Sequence, residues 1–152
     1  AYANRSGSTQ WNVIGPDPVR LTANATSTNT TLADLTDLAI VLDGTRRCRW
    51  VLFYSGSTTG DIKVALSVPS GTLIWGGMGF DTSLALQTPV TEVSGTAAAF
   101  GANGTGTKLW LVIDCIVVSP TVDDFITPQF AQNSLDAANA TTVYANSFGY
   151  KF

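Results

Sequence analysis

The sequence contains no histidine. Because histidine is the commonest general base and the usual nitrogen ligand of metal ions, its absence excludes Ser-His-Asp and Cys-His catalysis. Only two cysteines, Cys48 and Cys115, are present, which is too few for a zinc site of the ordinary Cys/His kind. We therefore expect a protein that is not an enzyme and that binds no metal or cofactor.

Charge is also scarce. Charged residues make up 12% of the chain, about half of the roughly 25% usual in globular domains. The net charge is −3, and only three of the eight cations are lysines, so no basic stripe can follow a phosphate backbone. No apolar run approaches the roughly 18–20 residues that span a bilayer. We expect neither a nucleic-acid partner nor a membrane partner.

The residues that are present favour β-structure. Short β-branched and aromatic runs from residue 19 onward are separated by Gly, Pro, Asn and Ser clusters, which is typical of strands and turns. A chain of 152 residues suits one domain. We predict an all-β, jelly-roll-like antiparallel β-sandwich over residues 19–152, preceded by an extended N-terminal arm over residues 1–18. The strands are predicted near 19–25, 36–42, 47–54, 61–68, 72–75, 86–93, 107–118, 126–132 and 141–151.

One segment is ambiguous. Residues 31–42 also fit a short amphipathic helix, with Thr31 as its cap and Leu32, Leu35 and Leu38 spaced by three. This helix competes with the strand predicted over 36–42. At most one short helix is expected.

Two segments are typical of strands buried between layers. Residues 47–54 and 108–118 carry apolar side chains on both of their alternating faces. The acid inside the second run, Asp114, is interpreted as an edge or bend position and not as a catalytic carboxylate. The adjacent acids Asp123 and Asp124 are interpreted as a solvated turn, because neighbours on an extended chain point to opposite faces.

The N-terminal arm is predicted from its lack of a sustained period and from its end at Gly15-Pro16-Asp17-Pro18. It still carries Tyr2, Trp11 and Ile14, which are more apolar than a solvated tail requires. Two interpretations stay open: the arm folds back on its own domain, or it docks onto a neighbouring subunit or a shell.

Glycine is concentrated in residues 71–79 and 95–106. Neither segment has the Lys and hydroxyl spacing of a phosphate-binding loop, so both are interpreted as long loops. Their large apolar residues either pack against the sandwich or lie in a subunit contact. These candidate contact residues are Trp75, Met78, Phe80 and Phe100.

The cysteines lie in strongly apolar segments, where a free thiol behaves as a small hydrophobe. Two reduced, buried thiols are therefore expected, whereas a bridge would need adjacent strands and an oxidising compartment. Five Asn-x-Ser/Thr triplets, at Asn4, Asn24, Asn29, Asn103 and Asn139, keep a secreted glycoprotein as a further alternative.

The C-terminal part of the chain resembles a known group. The elements Phe130-Ala131-Gln132-Asn133, Thr141-Thr142-Val143 and Ser147-Phe148 are similar to a recurring ending of structural proteins in tailed bacteriophages. The upstream order, with Gly60-Asp61-Ile62-Lys63 and Val68-Pro69-Ser70-Gly71, is similar as well. The resemblance implies a β-sandwich module on a capsid or tail, commonly trimeric.

The resemblance leads to two hypotheses. The first is a virion protein that decorates and cements a bacteriophage head, assembled in the host cytoplasm as a homotrimer that contacts the major capsid protein. The second is a tail or fibre module that binds a host-surface glycan, with exposed Trp75 or Phe80 stacking on sugar rings.

Overall fold

The computed structural model describes residues 2–4, 11–13, 18–87, 90–93 and 95–152, with side chains from residue 18 onward except at residues 90–92. All pairs between its strands are antiparallel, which confirms the predicted all-β class and sandwich architecture. The strands are β1 (Tyr2–Asn4), β2 (Trp11–Val13), β3 (Val19–Arg20), β4 (Ala25–Ser27), β5 (Ala33–Asp34), β6 (Ile40–Val41), β7 (Arg46–Gly56), β8 (Ile62–Ser67), β9 (Thr72–Met78), β10 (Val90–Val93), β11 (Ala98–Phe100), β12 (Gly104–Val118), β13 (Phe125–Ala131), β14 (Thr141–Val143) and β15 (Phe148–Lys151).

Two packed sheets form the sandwich. The large sheet has eight strands in the order β10-β9-β12-β7-β14-β4, and β15 pairs with β7 and β3. The small sheet has the order β11-β8-β13-β5, with β6 pairing β13. The two long strands β7 and β12 lie side by side in the middle of the large sheet, as expected for the two segments that are apolar on both faces.

The core lies between the sheets. Side chains alternate between the two faces of a strand. In β7, the even-numbered residues from Cys48 to Tyr54 therefore point into the core, and the odd-numbered residues between them point outward. The indole of Trp50 donates to the carbonyl of Leu38 at 2.9 Å, and the Tyr54 hydroxyl donates to the carbonyl of Gly101 at 2.6 Å. Both buried rings therefore keep their polar atoms bonded. The main inward residues are Cys48, Trp50, Leu52 and Tyr54 of β7, Leu111, Ile113, Cys115 and Val117 of β12, and Ile62, Val64, Leu66, Ile126 and Phe130 of the small sheet.

The ambiguous segment forms neither a strand over 36–42 nor a helix capped by Thr31. It contains one 3-10 turn, Thr36–Leu38, with Leu35 at its N-cap and no side-chain cap, followed by β6. Leu35 and Leu38 are both buried. The spacing of the leucines thus reflects burial of one turn, which is too short to propagate an α-helix.

The prediction of two long glycine-rich loops is wrong. Residues 72–78 form β9, and residues 95–106 contribute β11 and the start of β12. The packing of Phe100 explains why β9 carries a glycine at position 77. A Cβ on Gly77 would lie 2.6 Å from Cζ of Phe100. The missing side chain makes room for a ring from the opposite sheet.

In the N-terminal arm, β1 and β2 pair with each other. Ile14 and the junction 14–17 lie outside the described residues, as do the side chains of Tyr2 and Trp11. The boundary between arm and sandwich stays a prediction.

A buried amide holds the loop of residues 133–140. Gln132 donates from Nε2 to the carbonyls of Asp136 and Asn139 at 3.0 and 2.6 Å, and its Oε1 accepts from the Asp136 amide at 2.9 Å. Ser57 donates to the Asp136 carboxylate at 2.6 Å, and this bond lowers the pKa of Asp136. The Gln132 side chain thus adds to the backbone hydrogen bonds of the loop, which include those from the amides of Asn133 and Ser134 to the carbonyl of Gly60.

Within the described residues, no helix is both long enough and apolar enough to cross a membrane.

Candidate functional site on the outer face of the large sheet

The outer face of the large sheet is organised as rows of side chains that run across its strands. Directly paired residues on neighbouring strands share a face, so the strand register defines each row. The rows are Val93, Ile74, Ile116 and Arg47; then Gly76, Asp114, Arg49 and Tyr150; then Met78, Val112, Val51 and Phe148.

The central row holds an ion pair. Arg49 donates to Asp114 through two parallel bonds, Nε to Oδ1 and Nη2 to Oδ2, both 2.7 Å long. The Asp114 carboxylate, and then the Tyr150 hydroxyl, raise the pKa of Arg49. Asp114 is paired on both sides in the middle of the sheet, so its interpretation as an edge or bend residue is wrong. Its role is to neutralise Arg49.

The rows on either side are apolar apart from Arg47, and their side chains are partly exposed. Ile74 is 48% exposed, Ile116 37% and Met78 36%. Val118, which is 42% exposed, extends the same face along β12. Side chains of this kind, contiguous on one face, are typical of a surface that is covered by another protein.

Gly76 opens two depressions in this face. One, of about 450 Å³, is lined by Ile74, Ile116, Arg47 and Asp114. The other, of about 270 Å³, is lined by Met78, Val112, Arg49 and Asp114. Both depressions therefore have an apolar wall and a charged wall that includes Asp114, which suits an apolar side chain with a polar neighbour.

Aromatic rings extend the face at both ends. Trp110 is 39% exposed and meets Phe80 edge to face, with ring centroids 6.1 Å apart. Tyr150 stacks on Phe148 at 6.3 Å and meets Phe152 at 5.1 Å. Aromatic residues and arginine are the residues enriched in protein interfaces.

The predicted contact residues divide into two groups. Met78 and Phe80 lie on this outer face, whereas Trp75 and Phe100 are buried in the core of the same chain at 1% and 0% exposure. For Trp75 and Phe100, packing against their own sandwich was the correct alternative. Trp75 therefore offers no surface for stacking on a sugar ring.

The sequence prediction missed Ile74, Ile116, Trp110 and the pair of Arg49 with Asp114. A signal was present, because residues 47–54 and 108–118 are apolar on both faces. From sequence alone, this pattern predicts burial of both faces within one molecule. The structure shows that the small sheet covers one face and leaves the other accessible.

The reactive side chains are dispersed. Among the described residues, no group of three or more His, Cys, Asp and Glu side chains could hold a metal ion. Asp123 and Asp124 form a turn before β13, where Asp124 accepts a bond from the Ser70 hydroxyl. The geometry of the outer face supports binding through shape and apolar contact.

No family model matches the chain, and no curated protein and no solved structure matches it either.

Proposed function

We propose that this chain is a structural binding protein that assembles with further copies of itself through the outer face of the large sheet. The observation that carries the proposal is the pattern of three rows, in which apolar side chains enclose one neutralised ion pair. In a closed ring of three copies, one part of this face on each copy would meet a different part of it on the next copy, which leaves no open end.

The size of the face supports a self-contact. Strand β9 has seven residues, and four strands about 4.8 Å apart and about 24 Å long present a flat area of about 450 Å², before the relief of the side chains is counted. A standard interface buries roughly 800 Å² per partner. The face is thus of the right order for a stable contact that also includes the flanking rings.

We further propose that the assembled protein is a virion component, most specifically a decoration protein that cements the head of a tailed bacteriophage. The support is the resemblance of residues 129–152 to such proteins, together with a charge content of 12% and a face that suits repeated identical contacts. Attachment of a ligand that binds only the assembled shell stabilises the shell by mass action. The major capsid protein is the proposed partner.

The self-assembly is tested by light scattering of the full chain at micromolar concentration. We expect a mass about three times 16.0 kDa for the unmodified protein. Ile74→Glu places a charge in the first apolar row and should yield monomers. Thr127→Glu, which adds the same charge to the outer face of the small sheet, is the matched control and should leave the assembly intact.

A strictly monomeric unmodified chain would contradict the self-assembly, as would a control that dissociates as readily as Ile74→Glu. A reconstruction of the virion tests the finer proposal separately. Density for this chain on the head supports a decoration role, and density at the tail contradicts it.

The alternative, a tail or fibre module that binds a glycan, is favoured by one observation. Trp110 presents a half-exposed ring beside Phe80, and aromatic faces of this kind can stack on sugars. Binding to a glycan array that is lost in Trp110→Ala and retained in Phe125→Ala, an exposed ring on the small sheet, would favour this alternative.

A further inference from the structure

The inner face of the large sheet places the two cysteines directly opposite each other. Cys48 of β7 is the register partner of Cys115 of β12, and Trp75 and Lys151 complete the row on either side. Directly opposed residues of an antiparallel pair have Cα atoms about 4.5–5.5 Å apart. This separation lies inside the range of about 4.4–6.8 Å that a disulfide requires.

The two thiols have different surroundings. The neighbouring Cys115 thiol lowers the pKa of Cys48, and the neighbouring Cys48 together with burial raises the pKa of Cys115. The cations near Cys48 are Lys151 and Arg46, and Asp43 bonds to both of them, at 3.4 Å from Lys151 and 2.7 Å from Arg46. The negative charge of Asp114, which lies on the opposite face of β12, also raises the pKa of Cys115. Cys48 is thus deprotonated more readily than Cys115, and Cys115 is the second thiol beside it.

We propose that Cys48 and Cys115 form a redox modification site at which a small peroxide converts the pair to a disulfide across β7 and β12. The Cys48 thiolate attacks hydrogen peroxide, the O–O bond breaks, and one oxygen leaves as water after taking a proton, which yields a sulfenic acid on Cys48. The sulfur of Cys115 then attacks that of Cys48, the S–O bond breaks, and the Cys115 proton leaves with the hydroxyl as water. Two thiols are oxidised and one peroxide is reduced to two waters.

The burial of the site selects the oxidant. Cys48 is 1% exposed and Cys115 is 6% exposed, so a molecule the size of water reaches them more readily than a tripeptide disulfide. The bridge would join the two central strands of the large sheet and close a long loop of the chain. Such a cross-link restricts the unfolded chain and thereby raises the unfolding temperature. The proposal does not depend on the proposed function.

The experiment treats the folded, full-length chain with hydrogen peroxide and follows its intact mass, its free thiols under denaturing conditions and its melting temperature. We expect loss of two hydrogens with no added oxygen, a fall from two thiols to none, and a melting temperature raised by several degrees. A thiol reductant should reverse all three changes. Peptide mapping should find Cys48 linked to Cys115 within one chain.

Two variants assign the roles. In Cys115→Ser the sulfenic acid has no partner, so Cys48 should gain oxygen atoms. In Cys48→Ser the remaining thiol should react at least tenfold more slowly than Cys48 does in the unmodified chain. Addition of oxygen without a bridge in the unmodified chain would overturn the proposal. So would bridges between chains, persistence of both thiols, or a bridged chain that melts below the reduced one.

Discussion

The outer faces of the two sheets differ in the side chains that they present. On the small sheet, Ser67 lies opposite Thr127, and Gln129 donates to the Asp34 carboxylate at 2.7 Å. On the large sheet, the equivalent central positions hold Met78 beside Val112. Both sheets contribute apolar side chains to the shared core, and the difference between their outer faces lies outside that core.

The comparison shows that the central part of the outer face is more apolar on the large sheet than on the small sheet. A sheet that faces water on one side alternates between apolar and polar residues, as residues 126–130 of β13 do. Strand β12 keeps apolar residues at both sets of positions, and the charge that interrupts them, Asp114, is neutralised by Arg49. Under the proposed self-assembly, a second copy of the chain covers this face.

The largest expected effect disrupts the core that both sheets share. In Gly149→Ala the new Cβ would lie 2.2 Å from Cδ1 of Trp50, so the indole or β15 must shift, at a cost of about 3 kcal/mol. Urea denaturation measures this loss. The control Gly95→Ala has open space around its Cβ and a φ of +79°, so it should cost only about 1 kcal/mol, from backbone strain alone. Equal losses in the two variants would refute the steric explanation.

A smaller effect tests the central row. Asp114→Asn leaves Arg49 without its carboxylate, which should weaken self-association by about 2 kcal/mol, because the unpaired charge is desolvated in the contact. The pair is roughly half exposed in the isolated chain, at 40% for Arg49 and 46% for Asp114. Folding of the monomer should therefore change by less than about 1 kcal/mol. Dissociation on dilution and urea unfolding measure the two quantities, and a larger loss in folding than in association would reverse the comparison.

The smallest effect concerns Asp61, which links the two sheets. Its Oδ1 accepts from the amide of Ala102 at 2.9 Å, its carbonyl accepts from the Thr141 hydroxyl at 2.7 Å, and burial raises the pKa of its carboxyl. The folded chain therefore holds this proton more tightly than the unfolded chain, and the resulting stability is lost as pH rises through the folded pKa. Asp61→Asn retains the Oδ1 acceptor and carries no charge.

We thus expect Asp61→Asn to be slightly more stable than the unmodified protein at pH 7 and to lose that advantage at pH 3, as measured by thermal unfolding. Asp61→Ala, which lacks the acceptor, should be less stable at both values. An advantage of the Asn variant that grows as the pH falls would contradict this assignment.

The sequence predicted the sandwich because its signal is local. The alternation around Trp50 and the apolar run around Ile113 each identify a buried strand without knowledge of its neighbours. The role of Gly77 could not be predicted, because it depends on the ring of Phe100, which belongs to the other sheet. Asp114 was misinterpreted for a similar reason, since its partner Arg49 is distant in sequence and only the register of β7 with β12 brings the two together.

The Gln132 side chain has a consequence for motion. Most of residues 133–140 are exposed, and a loop of that kind ordinarily moves on the nanosecond to microsecond timescale. Here the fully buried side-chain amide of Gln132 donates two hydrogen bonds to the loop and accepts one from it, and these bonds tie the loop to the end of β13. Its backbone therefore fluctuates with the sheet and not independently of it. A protease needs a segment that can detach into an extended form, so this loop is a poor site for cleavage despite its exposure.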